Sequence, residues 1–274
     1  MTEAKKGEPQ EKDLSPVPDR PKEINQILDE QIASSLKEFN RSNLGLFISS
    51  FSAGLEIAFS VLVMASVVTL FYESLSHESL TLALALCYPV GFIFVIIGRS
   101  ELFTEHTSLA ILPVLNGSVS IKSLLALWGI VYAGNIIGGL ISAILITFIG
   151  TEIGFVNFES FALLSEKLTS HNWYVILFSA ILAGWMMGLL GWLITSSQET
   201  LSRIFMVILV TAIIGLAGLH HCIVGSVELL TGLLSGHGPG FADYINVQFW
   251  STIGNIIGGT FFVAILKFSH VRVN

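Results

Sequence analysis

Charge is what this sequence has least of. Only 12% of its 274 residues are Asp, Glu, Lys or Arg, while 53% are hydrophobic and the mean hydropathy is +0.76. A soluble domain needs far more polar surface, so soluble enzymes and nucleic-acid binders are excluded and a chain crossing the membrane several times is predicted. Cysteine is nearly absent: Cys87 and Cys222 both fall inside apolar runs, which argues against a disulfide framework. His106, Cys222 and Glu228 are the groups that the pair His220-His221 could recruit around a metal. Their spacing matches no closed metal site, and neither a metal nor another cofactor is expected. No nucleophile–base set stands out, so no enzymatic activity is expected.

The charge that exists is unevenly placed. Seven of the 13 Lys/Arg and nine of the 20 Asp/Glu lie in the first 42 residues. Residues 1–19 read as disordered and residues 21–41 as an amphipathic helix at the membrane surface. Three parts follow: a charged tail over 1–42, a membrane domain over 43–270 and a short C-terminus over 271–274. No signal peptide is expected before the first span. Six apolar spans are predicted, at about 44–71, 80–115, 123–149, 173–195, 204–234 and 247–268. Eleven Lys/Arg then share the side of both termini, against Lys167 alone on the other, so both termini are expected in the cytoplasm.

A straight helix crosses a hydrocarbon core of about 30 Å with about 20 residues. The second and fifth spans are too long for that: their roughly 36 and 31 residues would make rods of about 54 and 46 Å. Each carries glycine and polar residues midway, Gly98-Arg99-Ser100-Glu101 in one and Gly218-Leu219-His220-His221 in the other. Both are predicted to break at mid-membrane, where irregular backbone is tolerated only if buried in protein or lining a wet route.

The hexapeptide Gly134-Asn135-Ile136-Ile137-Gly138-Gly139 recurs unchanged as Gly254-Asn255-Ile256-Ile257-Gly258-Gly259. Three spans separate equivalent points, so the second half is predicted to lie upside down relative to the first, as in proteins that pass solutes at the membrane midplane. Gly134, Gly138, Gly254 and Gly258 form small-xxx-small pairs expected to pack helices closely, with Asn135 and Asn255 hydrogen-bonding across those contacts. The repeat is also a ruler. Glu101 lies 33 residues before Gly134, and His221 lies 33 before Gly254. That spacing pairs the first break with the histidine and puts the centre of the route between Glu101–Thr104 and His221.

Ionisable groups inside spans are the next clue, because a charge in hydrocarbon needs a partner or a pathway. Glu101 either caps the restarting helix or faces the route. His220 and His221 can give or take a proton near neutrality; for either, a hydrogen-bonded core histidine is the alternative. Glu56 and Glu228 are further intramembrane acids, and Arg99 is the cation that either could pair with. Beside the break, Leu102 and Phe103 read as an apolar gate and Thr104 as a hydrogen-bond donor, against plain core packing.

Taken in order, Glu101-Leu102-Phe103-Thr104, Gly218-Leu219-His220-His221-Cys222-Ile223 and Thr252-Ile253-Gly254-Asn255-Ile256-Ile257-Gly258-Gly259 resemble three motifs of the formate/nitrite transporter family. The likeness covers about residues 40–270. It implies an all-α, aquaporin-like protomer with six membrane helices in two inverted three-helix repeats, assembled as a homopentamer in the bacterial inner membrane. It also implies passage of small monovalent anions or their weak acids, formate- or nitrite-like, together with protons. By that resemblance His221 is the central histidine and Thr104 the threonine facing it. Leu102, Phe103, Phe92 and Ile214 would line constrictions, and Lys167 would attract anions. The chain departs from the pattern at His220, where the family has Glu, at Gly184, where it has Asn, and at Val224-Gly225-Ser226. Glu56, Glu105 and Glu228 are extra acids. These departures keep two other expectations open: another small solute such as ammonia, or a membrane sensor or scaffold acting through its tail.

Overall fold

The computed structural model describes residues 21–273, whose regular structure is entirely helical; the disorder expected over 1–19 lies outside the described residues. In chain order the helices are α1 (Ile24–Phe39), α2 (Asn43–Phe71), α3 (His77–Cys87), α4 (Pro89–Gly98), α5 (Phe103–Leu109), α6 (Leu112–Leu115) and α7 (Ile121–Glu152). Then come α8 (Phe158–Thr169), α9 (Trp173–Ser196), α10 (Thr200–Leu216), α11 (Cys222–Ser235), α12 (Phe241–Ile257), a π-helical stretch (Gly258–Ile265) and α13 (Leu266–Val273). Ser42, Ser76, Ser120 and Asn157 each accept, on a side-chain oxygen, the backbone N–H three residues on, which fixes where α2, α3, α7 and α8 begin.

Five helical stretches are long and apolar enough to cross a membrane: α2, the joined α3–α4 (His77–Gly98), α7, α9 and Phe241–Arg272. The apolar helices α10 and α11 are shorter. Thus the run expected over 80–115 stops being helical at Gly98 and resumes at Phe103, and the run over 204–234 is divided between α10 and α11.

The duplicated glycines do their work in two matching helix pairs. In α2–α7, Gly54 lies against the backbone of Asn135, and Gly138 against that of Phe51 and Leu55. In α9–α12, Gly184 lies against Asn255, and Gly258, opening the π-helical stretch, against Ile181 and Trp185. Apolar side chains gain little by leaving lipid for one another, so close backbone approach at small residues supplies the packing energy here. The π-helical stretch brings Gly259 against Thr107 of α5, where the Thr260 hydroxyl donates to the Thr107 carbonyl at 2.9 Å.

One element sits differently from its expectation. The helix expected over 21–41 packs into the body: Leu28 is fully buried, and Ile27 and Ile32 join Leu112, Trp192, Ala264 and Val271 in a second apolar cluster. Its apolar stripe covers the ends of α6, α9 and α13, so it has a protein surface to bury against.

Candidate functional site

Two asparagines hold the two helix interruptions in the same way. Asn135 Oδ1 accepts the Phe103 N–H at 2.8 Å, while its Nδ2 donates to the carbonyls of Ser50 and Glu101 at 2.7 and 2.9 Å. Asn255 Oδ1 accepts the Cys222 N–H at 2.8 Å, while its Nδ2 donates to Ala180 and His220 at 2.8 and 3.0 Å. Each clamp thus ties a restarting helix and the residue two before its first turn to a neighbouring long helix. These contacts correct the repeat ruler by one residue. Glu101 corresponds to His220, and Leu102, which precedes α5, corresponds to His221, which precedes α11. The left-handed residue of each interruption obeys the same register: Arg99 (φ 61°) and Gly218 (φ 61°). Gly98, expected to mark the first break, is still helical.

His221 begins α11 as its own cap. Its Nδ1 accepts the N–H groups of Ile223 and Val224, both at 3.3 Å. A neutral imidazole whose Nδ1 accepts must carry its hydrogen on Nε2, and that nitrogen donates to Thr104 Oγ1 at 2.8 Å. Phe92 meets the imidazole edge-on, with ring centroids 5.2 Å apart. Leu102, Phe92, Thr104 and Ile214 are fully buried, and the apolar three belong to one cluster. The structure therefore brings His221, Thr104 and Phe92 together in the buried interior. Phe103 turns elsewhere: its ring packs edge-on against Tyr132 and Trp128 of α7, at 5.0 and 6.2 Å.

On the α1 side of this centre, Arg41 joins three elements. Its Nη1 donates to Glu38 Oε2 at 2.6 Å and to Glu101 Oε1 at 2.7 Å, and its Nη2 to the Gly45 carbonyl at 3.2 Å. Burial pushes the Glu38 carboxyl up from the usual carboxylate range, against the opposing pull of Arg41. Glu101 Oε2 meets His106 Nε2 at 2.5 Å. Glu101 is therefore the hub of an ion-pair chain rather than a simple helix cap. Sequence reasoning gives Arg41 no site role and considers His106 only as a metal ligand. Arg41, the last cation before the first span and three residues after Glu38, was legible as a candidate; the five-residue offset of His106 from Glu101 gave no helical signal. This chain borders a cavity of about 480 Å³ between α1, α4, α5 and α9.

The opposite side is organised around His220. Its Nε2 donates to the Leu168 carbonyl and its Nδ1 accepts from Ser179 Oγ, both at 3.0 Å. The ring thus braces α8 and α9 against the second interruption and borders a cavity of about 430 Å³ with His171, Tyr174 and Gly218. Lys167 Nζ lies 3.3 Å from where a side chain on Gly218 would begin. Glu228 is buried on α11. Glu56 accepts from Ser52 Oγ at 2.8 Å, and its second oxygen is buried without a hydrogen-bond partner among the described residues. Arg99 forms an ion pair with neither acid: among the described residues it forms none. It is exposed on the α1-side cavity, where its side chain leaves the interior instead of meeting Glu56 or Glu228.

Residues 25–269 match the family model described as formate/nitrite transporter. Inner membrane protein YfdC of Escherichia coli (strain K12) is 31% identical over 242 residues, which cover 86% of this chain and 75% of that protein. Among solved structures, an FNT family ion channel superposes with a TM-score of 0.81 at 21% identity, covering 90% of this chain and 99% of that one. A pentameric formate channel with formate bound superposes with a TM-score of 0.70 at 20% identity, covering 85% and 98%. With its two clamped interruptions, this chain belongs to the formate/nitrite transporter family.

Proposed function

We propose that the protein is an inner-membrane channel or transporter for small monovalent anions or their weak acids, of the formate or nitrite kind. Six spans form two inverted three-helix repeats, α2 to α7 and α9 to α13, with the interruptions at mid-membrane. Both termini face the cytoplasm, five protomers assemble with one route each, and residues 1–42 form a tail whose α1 closes on the membrane domain. The lysine and arginine asymmetry supports this orientation. The pentamer is carried over from the formate channel structure of the same fold.

The observation that carries the reading is one buried polar contact, His221 Nε2 to Thr104 Oγ1, with Phe92 edge-on to the imidazole. A bare anion in an apolar neck loses its hydration, and a hydrogen-bond donor or a proton offsets that loss. His221 offers its Nε2–H to the anion in place of Thr104. The proton that links passage to pH is the second ring proton, taken up at Nδ1, since loss of Nε2–H from the neutral ring would leave an imidazolate. Lys167 gathers anions at the far mouth. The test is stopped-flow formate uptake into proteoliposomes at two pH values. Loss of pH-dependent flux in His221→Ala supports the reading, and undiminished flux sinks it. Deleting residues 1–40 separates this from the scaffold alternative, since a transporter keeps its flux. Uptake of ammonia without competition from formate would favour the neutral-solute alternative, which the acids Glu56, Glu105 and Glu228 motivate.

A further inference from the structure

We propose that Arg99 is an anion-receiving residue at the α1-side mouth, the counterpart of Lys167 at the other; this rests on the anion-passage reading above. Three observations converge on it. Arg99 is the one non-glycine residue with positive φ among the described residues, at φ 61° and ψ 39°. A side chain disfavours that left-handed region, and glycine suits it. Gly98 stands one residue away and is spent on ordinary helix, so the strained position keeps an arginine where glycine would fit better.

The second interruption puts the matching position in Gly218, three residues before His221 as Arg99 is three before Leu102. There the space beside the glycine holds Lys167, with Nζ 3.3 Å from where a Cβ would stand. Each interruption therefore has one cation at its left-handed residue. One is built into that residue, and the other is delivered from α8.

The cavity bordered by Arg99 is already electrically sorted. Of its acids, Glu30 pairs with Lys22 at 2.6 Å, and Glu38 and Glu101 share Arg41, with His106 on the far oxygen of Glu101. Glu105 is its one acid without an ion pair among the described residues, against the cations Arg99, Lys37 and Arg203. Arg203 is turned onto the Ser197 carbonyl, at 3.2 Å from Nη2. Ser35 Oγ, on a residue 3% exposed, borders the same cavity with no hydrogen-bond partner among the described residues. A free guanidinium and a free hydroxyl suit a small oxyanion, which a guanidinium grips through two parallel hydrogen bonds.

The experiment compares Arg99→Gly, Arg99→Gln and Arg99→Lys in oriented proteoliposomes, with formate offered from either side. From the α1 side, half-saturating formate should rise about tenfold in Arg99→Gln and Arg99→Gly, equivalent to about 1.4 kcal/mol. It should stay within about twofold in Arg99→Lys, and from the far side it should change little in any variant. Arg99→Gly should melt no lower than the wild type, because glycine relaxes the backbone at φ 61°. Unchanged half-saturation in both uncharged variants overturns the proposal, and so does a marked fall in the Arg99→Gly melting temperature, which would make Arg99 scaffold. If the wild type carries no formate, the passage reading fails separately. Chloride binding, read as ³⁵Cl line broadening, then decides: weaker broadening in Arg99→Gln supports the anion site, and equal broadening overturns it.

Discussion

Replacing Asn255 by alanine removes three hydrogen bonds at once: the Cys222 N–H loses its acceptor, and the Ala180 and His220 carbonyls lose a donor. Asn255 is fully buried, so water cannot substitute without opening the contact. Leaving a buried donor or acceptor unpaired costs about 1–3 kcal/mol. The Ala180 carbonyl sits inside α9 and keeps its helical partner, so its loss weighs least. The expected sum is about 2–5 kcal/mol. For a chain of this size that corresponds to a fall of about 4–20 °C in melting temperature. The five tryptophans make intrinsic-fluorescence melting of the detergent-solubilised protein a convenient assay. Asn255→Asp should be worse than alanine, because a second carboxylate oxygen would face the two carbonyls that now receive Nδ2. A melting point within about 2 °C of wild type for Asn255→Ala would refute the clamp. It would make Asn255 merely a residue small enough to pack between α9 and α12.

Thr104→Val keeps the shape but removes the partner of His221 Nε2, and formate flux in proteoliposomes should fall about 3–10-fold, the worth of one hydrogen bond. Gly184→Ala would set a methyl 2.6 Å from Asn255 Cα, a backbone atom that cannot step aside; it should cost about 1–3 kcal/mol in thermal melts. Gly129→Ala meets nothing within 4 Å on exposed α7 and should be neutral or gain up to about 1 kcal/mol. Glu38→Gln tests the pH sign. Because burial raises the folded carboxyl above its ordinary value, its contribution to stability is full at low pH and is lost as pH rises through the folded value. The melting temperature of Glu38→Gln relative to wild type should therefore climb as pH rises above the ordinary carboxylate range, and a flat difference would count against the burial.

Much of this protein was legible as pattern. Apolar runs gave helices, and the glycine and polar residues midway along the two longest predicted runs marked both interruptions. The repeated hexapeptide named the close helix contacts, because only glycine lets two backbones meet as Gly138 and Gly258 do. His221 and Thr104 were legible through motif order, and they lie 2.8 Å apart. Partners were another matter. Arg99 read as a mate for Glu56 or Glu228, yet it faces a cavity and pairs with neither. For His220 both a route residue and a hydrogen-bonded core residue were open from sequence; Ser179 and Leu168 hold its ring, which also borders a cavity.

Sequence spacing alone misaligned the two halves by one residue, because counting from the glycines cannot tell which residue takes the left-handed turn. Glycine at 98 and 218 pointed to a matched pair, and the backbone placed the turn at Arg99 and Gly218. What the sequence by itself determined was the order of helices, their small-residue contacts and where each must break, since those follow from local hydrophobicity and side-chain size. Which polar atoms meet was decided only by the tertiary structure. Asn135 and Asn255 each reach a residue more than 30 positions away, and a hydrogen bond depends on ångström-scale geometry that spacing does not encode.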